Sequence, residues 1–288
     1  MRFRRVSFAD KVPNIRHHLR RRIAVSLGLA ALLVLSVVGA AAAGAFASPV
    51  AAQRTAAAKH PAVEQPAANH RAAATKVATG HRPLTTSCVS VGHIGDSTSV
   101  GMVSPQDLPD PAQRLAAQYA NVGVKHLWVD ASGGRSIVET LPGQTNGYNV
   151  ARNWTAKGFH GCWVFALGTN DTGNVAVGSS VGRMARIDQM MTAAHGQPVM
   201  WVNTHTLLSS GPFSEASMQA WNDDLVKACA QYPNMRVFNW DAMDQPGWHA
   251  PDGIHYTSAG YAVRAEAIAH ALAKAFPSTG HSTGCLVG

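Results

Sequence analysis

The stretch CWVFALGTND occupies residues 162–171 and joins an uncharged, apolar run to a polar turn. Continuous apolar residues that include aromatic and branched side chains are typical of a strand covered on both faces of a sheet. The turn that follows supplies an amide, Asn170, and a carboxylate, Asp171. Because ligands bind beyond the carboxyl ends of parallel strands, this stretch indicates both the class of fold and the place of a site.

Similar apolar runs lie on both sides of this stretch and alternate with helical patterns. With residues 162–167, the strand candidates are residues 89–94, 126–130, 198–204 and 236–240. The helix candidates are residues 111–120, 181–194, 215–231 and 259–276. Thr257 or Ser258 is suited to cap the last helix. This alternation predicts one domain with a doubly wound parallel α/β sheet.

Polar or glycine-rich segments follow each strand candidate, at what would be one edge of the sheet. In chain order they are residues 95–99, residues 131–136, residues 168–171, His205 and, after a longer loop, residues 252–255. A serine, a glycine turn, an amide and an acid–base pair are therefore expected to meet at this edge.

The residues at this edge suit nucleophilic catalysis. A serine hydroxyl such as that of Ser97 needs a base to remove its proton, and His255 is a suitable base. Asp252 precedes His255 by three residues, so one turn would bring its carboxylate to the imidazole and fix the tautomer. Candidate donors to the oxyanion are the backbone N–H of Ser97, a backbone N–H near Gly134 and the side chain of Asn170.

Four short motifs resemble, in order, the conserved blocks of the SGNH/GDSL hydrolase family. They are Gly-Asp-Ser at 95–97, Gly-Thr-Asn-Asp at 168–171, Asp-x-x-His at 252–255 and, more loosely, Ser-Gly-Gly-Arg-Ser at 132–136. In the loosest block Gly134 is matched to the family glycine, with Gly133 as the alternative. The resemblance covers residues 88–277, and residues 278–288 are predicted to be a tail.

This resemblance implies a fold and a chemistry. The fold is a flavodoxin-like three-layer α/β/α sandwich with a five-stranded parallel sheet. The chemistry is hydrolysis or transfer of acyl groups through an acyl-enzyme on Ser97, with no metal and no other cofactor. The resemblance also implies that Asp96 is structural and holds the nucleophile turn.

Other residues have weaker claims to a role. Residues 178–182 match the Gly-x-Ser-x-Gly elbow of a different hydrolase fold, but no adequate strand precedes them. His205 and Trp248 are candidates for the pocket wall, although Trp248 would equally serve to cover the edge of the core. His93 is expected in the core. No helix-spaced histidine pair or carboxylate cluster joins His93 or His205, so a metal site is not predicted.

The N-terminal segment has the order of an export signal. Residues 1–22 carry eight Lys or Arg and one Asp, and an uncharged run follows from Ile23 to about Ala52. Residues 45–47, Ala-Phe-Ala, fit a cleavage site, while the length of the run also suits a single-pass anchor. Residues 23–47 are therefore a signal peptide or a signal anchor. Residues 48–87, rich in Ala and Pro, are predicted to be a disordered linker.

The net charge of +8 does not indicate nucleic-acid binding. The positive charge lies in the N-terminal segments, and residues 83–288 hold 11 basic and 14 acidic residues, a net charge of −3. Nucleic-acid-binding surfaces need clustered basic residues, so we expect no such partner for the folded part.

The chain has four cysteines and no Cys-x-x-Cys pair, which favours disulfides outside the cytoplasm over zinc. Three pairings are open. We prefer Cys88–Cys162, because both cysteines lie at the amino ends of strand candidates and would come within bridging distance if the two strands are neighbours in the sheet. We also prefer Cys229–Cys285, because Cys229 lies on a late helix and the tail that holds Cys285 needs an attachment.

The sequence therefore predicts a secreted or membrane-anchored serine esterase or deacetylase, expected to be a monomer, acting on a small-molecule or glycan ester. An acyltransferase acting on envelope glycans and a non-catalytic glycan- or lipid-binding module remain the alternatives.

Overall fold

Six parallel strands form one sheet in the computed structural model, which describes residues 84–288. The strands lie in the order β2-β1-β3-β4-β5-β6, and every neighbouring pair is parallel. The strands are β1 (Ser90–Gly95), β2 (His126–Ala131), β3 (Cys162–Ala166), β4 (Val199–Val202), β5 (Met235–Phe238) and β6 (Leu286–Val287). The predicted basic segment, signal or anchor helix and residues 48–83 of the linker lie outside the described residues.

Helices cover both faces of the sheet. They are α1 (Ser97–Val103), α2 (Leu115–Asn121), α3 (Gly147–Ala156), α4 (Thr169–Ala176), α5 (Arg183–Ala193), α6 (Glu215–Cys229) and α7 (Ser258–Ala275). Short 3-10 turns occupy Pro111–Gln113 and Pro246–Trp248. Among these described residues, no helix is both long enough and apolar enough to cross a bilayer.

The strand β3 shows how one apolar run supplies two cores. Val164 and Ala166 face the core that contains residues of α1, α2 and α7. Trp163 and Phe165 face the opposite core, with residues of α3, α5 and α6. Because successive side chains of a strand point to opposite faces, the uncharged run is buried on both sides, which confirms the predicted three-layer α/β/α sandwich.

The number of strands differs from the prediction of five. The sixth strand, β6, lies in the predicted tail and consists of two residues, too few to show a periodic pattern. The N–H of Val237 donates to the carbonyl of Cys285 (2.8 Å), and the N–H of Asn239 donates to that of Val287 (3.0 Å). These long-range bonds, rather than any local preference, make the end of the chain an edge strand.

Both predicted disulfides are present in the structure. Cys88, two residues before β1, and Cys162, the first residue of the neighbouring strand β3, are joined with a Cα–Cα distance of 5.6 Å. Cys229, at the end of α6, is joined to Cys285 with a Cα–Cα distance of 5.9 Å. The second bridge attaches the segment that carries β6 to the rest of the domain.

The helix predictions were correct for α5, α6 and α7, with small shifts at the ends. Thr257 caps α7 by accepting a hydrogen bond from the N–H of Gly260. The predicted helix at 111–120 is instead a 3-10 turn followed by α2, with Arg114 extended between them. The helices α1, α3 and α4 were not predicted, because each has ten residues or fewer and contains several Ser, Thr, Asn or Gly residues, which are weak helix formers.

Candidate active site

The turn between β1 and α1 presents Ser97 at the carboxyl edge of the sheet. Asp96 caps α1, and its Oδ1 accepts hydrogen bonds from the N–H of Thr98 (2.9 Å) and the hydroxyl of Thr98 (2.7 Å). Asp96 and Thr98 are buried, whereas Ser97 between them is partly exposed. Burial raises the pKa of Asp96, and the bonds from Thr98 oppose that rise. The contacts of Asp96 are those of a residue that holds the turn.

Gly95 allows this turn to close tightly. A Cβ at Gly95 would lie 2.2 Å from the hydroxyl oxygen of Ser99, which is fully buried. The hydroxyl oxygen of Ser99 lies 3.2 Å from Nε2 of His93. Nδ1 of His93 lies 3.0 Å from the hydroxyl of Tyr119, and burial lowers the pKa of His93 to about 3. His93 is therefore the core residue that the sequence predicted.

Asp252 and His255 are paired on the loop that precedes α7. Oδ2 of Asp252 lies 2.6 Å from Nδ1 of His255, while Oδ1 accepts the N–H groups of Ile254 and His255, each at 2.9 Å. Partial burial favours the neutral acid, but these hydrogen bonds prevail and lower the pKa of Asp252 to about 2. The carboxylate is thus ionised and oriented on the imidazole, as a triad requires.

The helix that follows this loop, α7, packs on α1, the helix that follows the nucleophile turn. The ring of Tyr261 lies against Gly101, where an added Cβ would be 2.2 Å from the ring. Arg264 NH2 lies 3.5 Å from the hydroxyl of Thr98, next to Ser97. Within residues 84–288 no hydrogen bond joins Ser97 to His255; such bonds are often long in free enzymes and shorten when substrate binds.

The two remaining oxyanion candidates lie on adjoining segments. Asn170 is the second residue of α4, and its Nδ2 donates to the carbonyl of Arg135 (3.0 Å). Gly134 has φ +70°, a left-handed conformation that favours glycine, and Gly133 does not share it. Arg135 is buried and donates to the carbonyls of Asp130 (2.7 Å) and Gly95 (3.2 Å). The loop after β2 is therefore bonded to the end of β1, beside the nucleophile turn.

His205 follows β4 and lies in a group of acidic side chains. Its Nδ1 is 2.6 Å from Oδ1 of Asp241 and 3.3 Å from Oε2 of Glu215. These hydrogen bonds raise the pKa of His205 to about 10. Trp248 stacks on Trp240, with ring centroids 5.7 Å apart, and packs against the core beside α7. Its packing is that of a side chain covering the core edge.

Two sets of side chains near His205 have the residue types of metal ligands. His205, Asp244 and His249 form one set, and His205, Glu215 and Asp241 form the other, with one ligand atom from each residue within 4.8 Å of the others. The sequence did not reveal them because they come from separate segments. Nε2 of His249 already lies 2.9 Å from Asp244, and Nδ1 of His205 is engaged by Asp241. We describe this cluster as a hydrogen-bonded network and assign no ion to it.

The Gly-x-Ser-x-Gly match at 178–182 is not a nucleophile elbow. It forms the connection between α4 and α5, so the element directly before it is a helix and not the strand that an elbow requires. The hydroxyl of Ser179 instead donates to Oε1 of Glu139 (2.7 Å). This confirms that the motif is a chance match, and it shows that Ser179 has a structural partner.

A buried network behind the oxyanion candidates was missed by sequence reasoning. Arg186 on α5 is fully buried and contacts both Asp171 and Glu139. Arg135 and Asp171 were noted only as members of their motifs. The sequence gives no signal for the role of Arg186, because its partners are separated from it by up to 47 residues along the chain.

A protein-family model and several solved structures are similar to this chain. A family model described as the GDSL-like Lipase/Acylhydrolase family matches residues 93–263. A lipase/acylhydrolase from Enterococcus faecalis is 15% identical, with a TM-score of 0.51 over 66% of this chain and 99% of that one. A carbohydrate acetylesterase family member from Sinorhizobium meliloti is 14% identical, with a TM-score of 0.50 over 62% of this chain and 95% of that one. No curated protein sequence matches this chain significantly. At these identities the two structures show a shared fold.

Proposed function

Since the chain belongs to the GDSL-like lipase/acylhydrolase family of serine hydrolases, we propose that it is an extracytoplasmic esterase. It cleaves carboxylic esters, acetyl esters included, through an acyl-enzyme on Ser97, with Asp252 and His255 as the other members of the triad. The observation that carries this proposal is the 2.6 Å contact between Asp252 and His255 on a loop at the same sheet edge as Ser97.

The reaction begins when His255 Nε2 takes the proton of the Ser97 hydroxyl and Oγ attacks the ester carbonyl carbon. The carbonyl π electrons move to oxygen and form a tetrahedral oxyanion. When the oxyanion collapses, the C–O bond to the alcohol breaks and the imidazolium of His255 returns its proton to the leaving oxygen. Water then repeats these steps on the acyl-enzyme, which releases the carboxylic acid and restores Ser97.

Three groups are suited to bind the oxyanion: the N–H of Ser97, the N–H at Gly134 and Nδ2 of Asn170. One hydrogen of the Asn170 amide is donated to Arg135, which leaves the second for substrate. Donors that are fixed before the reaction stabilise the developing charge without reorganisation in the transition state. The bond to Arg135 supports this role because it fixes the plane of the amide.

The location outside the cytoplasm is supported by the two disulfides, Cys88–Cys162 and Cys229–Cys285. Disulfides persist in oxidising compartments and are rare in the cytosol. The basic and apolar order of residues 1–47 supports export as well, by cleavage or by retention as a single-pass anchor. We propose a monomer, released or held at the outer face of the cytoplasmic membrane.

The substrate is a small-molecule or glycan ester rather than a nucleic acid. The side chains of His255 and Asp252 are 38% and 49% exposed, so the acid–base pair is open to an ester on a bulky alcohol. The same openness favours a second candidate, transfer of the acyl group from Ser97 to a sugar hydroxyl of an envelope glycan. In that reaction the sugar replaces water in the second half, and no other residue is required.

Product analysis tests both functions. The full chain, solubilised in mild detergent, is incubated with p-nitrophenyl acetate and with an acetylated glycan, each with and without an oligosaccharide acceptor. An esterase releases acetate at a rate that the acceptor does not change, whereas a transferase forms acetylated oligosaccharide at the expense of acetate. Turnover that is absent in the wild type, or unchanged in Ser97→Ala, would reject the catalytic proposal and favour a non-catalytic binding module.

A further inference from the structure

We propose that Arg186 is a positioning residue for the oxyanion-binding groups, acting through Asp171 and Glu139. It lies on α5, outside the four motifs, and does not reach the substrate. Its guanidinium joins the loop after β2, which carries Gly134, to the helix α4, which carries Asn170. The inference rests on the proposed function, because it assigns a purpose to these two residues.

The guanidinium of Arg186 uses all of its donors within the protein. NH1 donates to Oε2 of Glu139 (2.6 Å) and Oδ1 of Asp171 (2.7 Å). NH2 donates to Oε1 of Glu139 (2.5 Å) and the hydroxyl of Ser179 (2.7 Å), and Nε donates to the carbonyl of Val181 (2.9 Å). Because a guanidinium has five N–H groups in a rigid plane, these contacts fix its orientation completely.

The first acidic side chain, Asp171, links the Arg186 guanidinium to both the loop after β2 and the start of α4. Asp171 directly follows Asn170, and its side chain is fully buried. Its Oδ1 also accepts the backbone N–H of Ile137 (2.8 Å), three residues after Gly134. One oxygen thus receives a bond from Arg186 and a bond from the loop, so the start of α4 is held at a set distance from that loop.

The second carboxylate, Glu139, also joins the loop after β2 to α4. Its Oε2 accepts the hydroxyl of Ser136 (2.9 Å) and Nδ2 of Asn174 on α4 (2.9 Å). Hydrogen bonds from Arg186 lower the pKa of Glu139 to about 2. The loop and α4 are therefore joined at two points, and both points include Arg186.

The opposite side of the loop is bonded directly to the candidate donor, since Nδ2 of Asn170 donates to the carbonyl of Arg135 (3.0 Å). Misplacing a reacting or binding group by about 1 Å costs up to about 10²-fold in rate. Loss of Arg186 should relax the loop against α4 and misalign the donors in the transition state. Substrate binding in the ground state depends less on this alignment, so the loss should appear in kcat rather than KM.

Arg183 provides a matched control on the same helix. It lies one turn before Arg186, is 33% exposed at its side chain, and pairs with Oδ2 of Asp224 (2.7 Å) on α6. Arg183→Met therefore removes an α5 guanidinium and its ion pair without touching the loop after β2.

The experiment compares Arg186→Met, Arg186→Lys, Glu139→Gln and Arg183→Met in the full chain. We expect kcat for p-nitrophenyl acetate to fall roughly 10- to 100-fold in Arg186→Met with KM within about 3-fold of wild type. Glu139→Gln should lose less kcat than Arg186→Met, and Arg186→Lys should recover part of the kcat that Arg186→Met loses. Arg183→Met should keep the kcat of the wild type. Affinity for an arylboronic acid, which forms a tetrahedral adduct on serine, should fall in parallel with kcat.

Wild-type kcat in Arg186→Met, or an equal loss in Arg183→Met, would overturn the inference. If Arg186→Met does not fold, the kcat of Glu139→Gln tests the inference instead, because this variant keeps the shape of the side chain and removes one charge. An unchanged kcat in Glu139→Gln would then overturn the inference. If the wild type itself has no turnover, the proposed function fails, and NMR then tests the positioning alone. In Glu139→Gln, but not in Arg183→Met, the backbone amide hydrogen of Ile137 should exchange faster with solvent and the side-chain amide resonance of Asn170 should shift. Unchanged spectra in Glu139→Gln would reject the positioning role of Arg186.

Discussion

The backbone N–H of Leu207 donates to the carbonyl of Gly253 across 2.8 Å. Gly253 lies between Asp252 and His255 on the acid–base loop, and Leu207 lies two residues after His205. The segment that follows β4 is therefore bonded to the loop that carries the proposed base. The acidic cluster around His205 and the proposed acid–base pair therefore lie on segments in direct contact.

The charge of His205 predicts a fall in stability at alkaline pH. Hydrogen bonds to Asp241 and Glu215 raise its pKa from 6.5 to about 10. Between these values the folded protein holds a proton that the unfolded chain has lost, so the free energy of unfolding falls as pH rises. The stabilisation is fully present below pH 6.5 and is lost by about pH 10.

Urea denaturation of wild type and His205→Asn at pH 6, 8 and 10 would measure this effect. The difference between the two proteins should be largest at pH 6 and should shrink towards pH 10. A difference that is the same at all three pH values would show that His205 is not held as the imidazolium.

Asp252→Asn should reduce kcat with little effect on stability. The amide would leave the imidazole without a carboxylate to fix its tautomer, a change that costs up to about 10⁴-fold in kcat in serine triads. Because the side chain of Asp252 is 49% exposed, solvent replaces part of the lost interaction and we expect a loss of roughly 10²- to 10⁴-fold. Steady-state kinetics with p-nitrophenyl acetate and a thermal melt measure the two quantities; activity close to wild type would remove Asp252 from the triad.

Asn170→Ala should lower kcat by roughly 10²- to 10³-fold, the usual cost of one oxyanion donor. The same change removes the hydrogen bond to Arg135, so the loop after β2 should also become more mobile. KM should change little, because the donor acts mainly on the tetrahedral oxyanion. A variant with unchanged kcat would exclude Asn170 from the oxyanion site.

Removing either disulfide should destabilise the domain. The bridges close segments of 74 and 56 residues, for which the chain-entropy model gives about 4 kcal/mol each. Chemical denaturation of the paired Cys→Ser variants measures the loss. The Cys229/Cys285 variant should also lose protection of the Asn239 amide, which donates to Val287 of β6 (3.0 Å); retained protection would show that β6 does not need the bridge.

Much of the fold was predictable because its signals are local. The apolar run at 162–167 predicted a strand buried on both faces, and β3 has that environment. The pairing of Cys88 with Cys162 followed from their positions at the amino ends of two strand candidates, and those strands are neighbours in the sheet. The contact between Asp252 and His255 was also predictable, since three residues on one turn bring them together.

The features that were missed depend on distant contacts. The two residues of β6 acquire their strand geometry from β5 and from the bridge at Cys285. Arg186 resembles any surface arginine in the sequence, yet it is fully buried because Glu139 and Asp171 surround it. The cluster around His205 likewise assembles from three separate segments. No local pattern reports such arrangements.

Covalent labelling locates the reactive serine and so tests whether Ser97 is the nucleophile. The full chain is treated with a fluorophosphonate probe, digested, and its peptides are analysed by mass spectrometry. Ser99→Ala is the control, because Ser99 lies two residues from the proposed nucleophile, is fully buried and contacts His93. We expect a single adduct on Ser97 that is retained in Ser99→Ala and absent in Ser97→Ala. Equal labelling of wild type and Ser97→Ala would contradict this expectation.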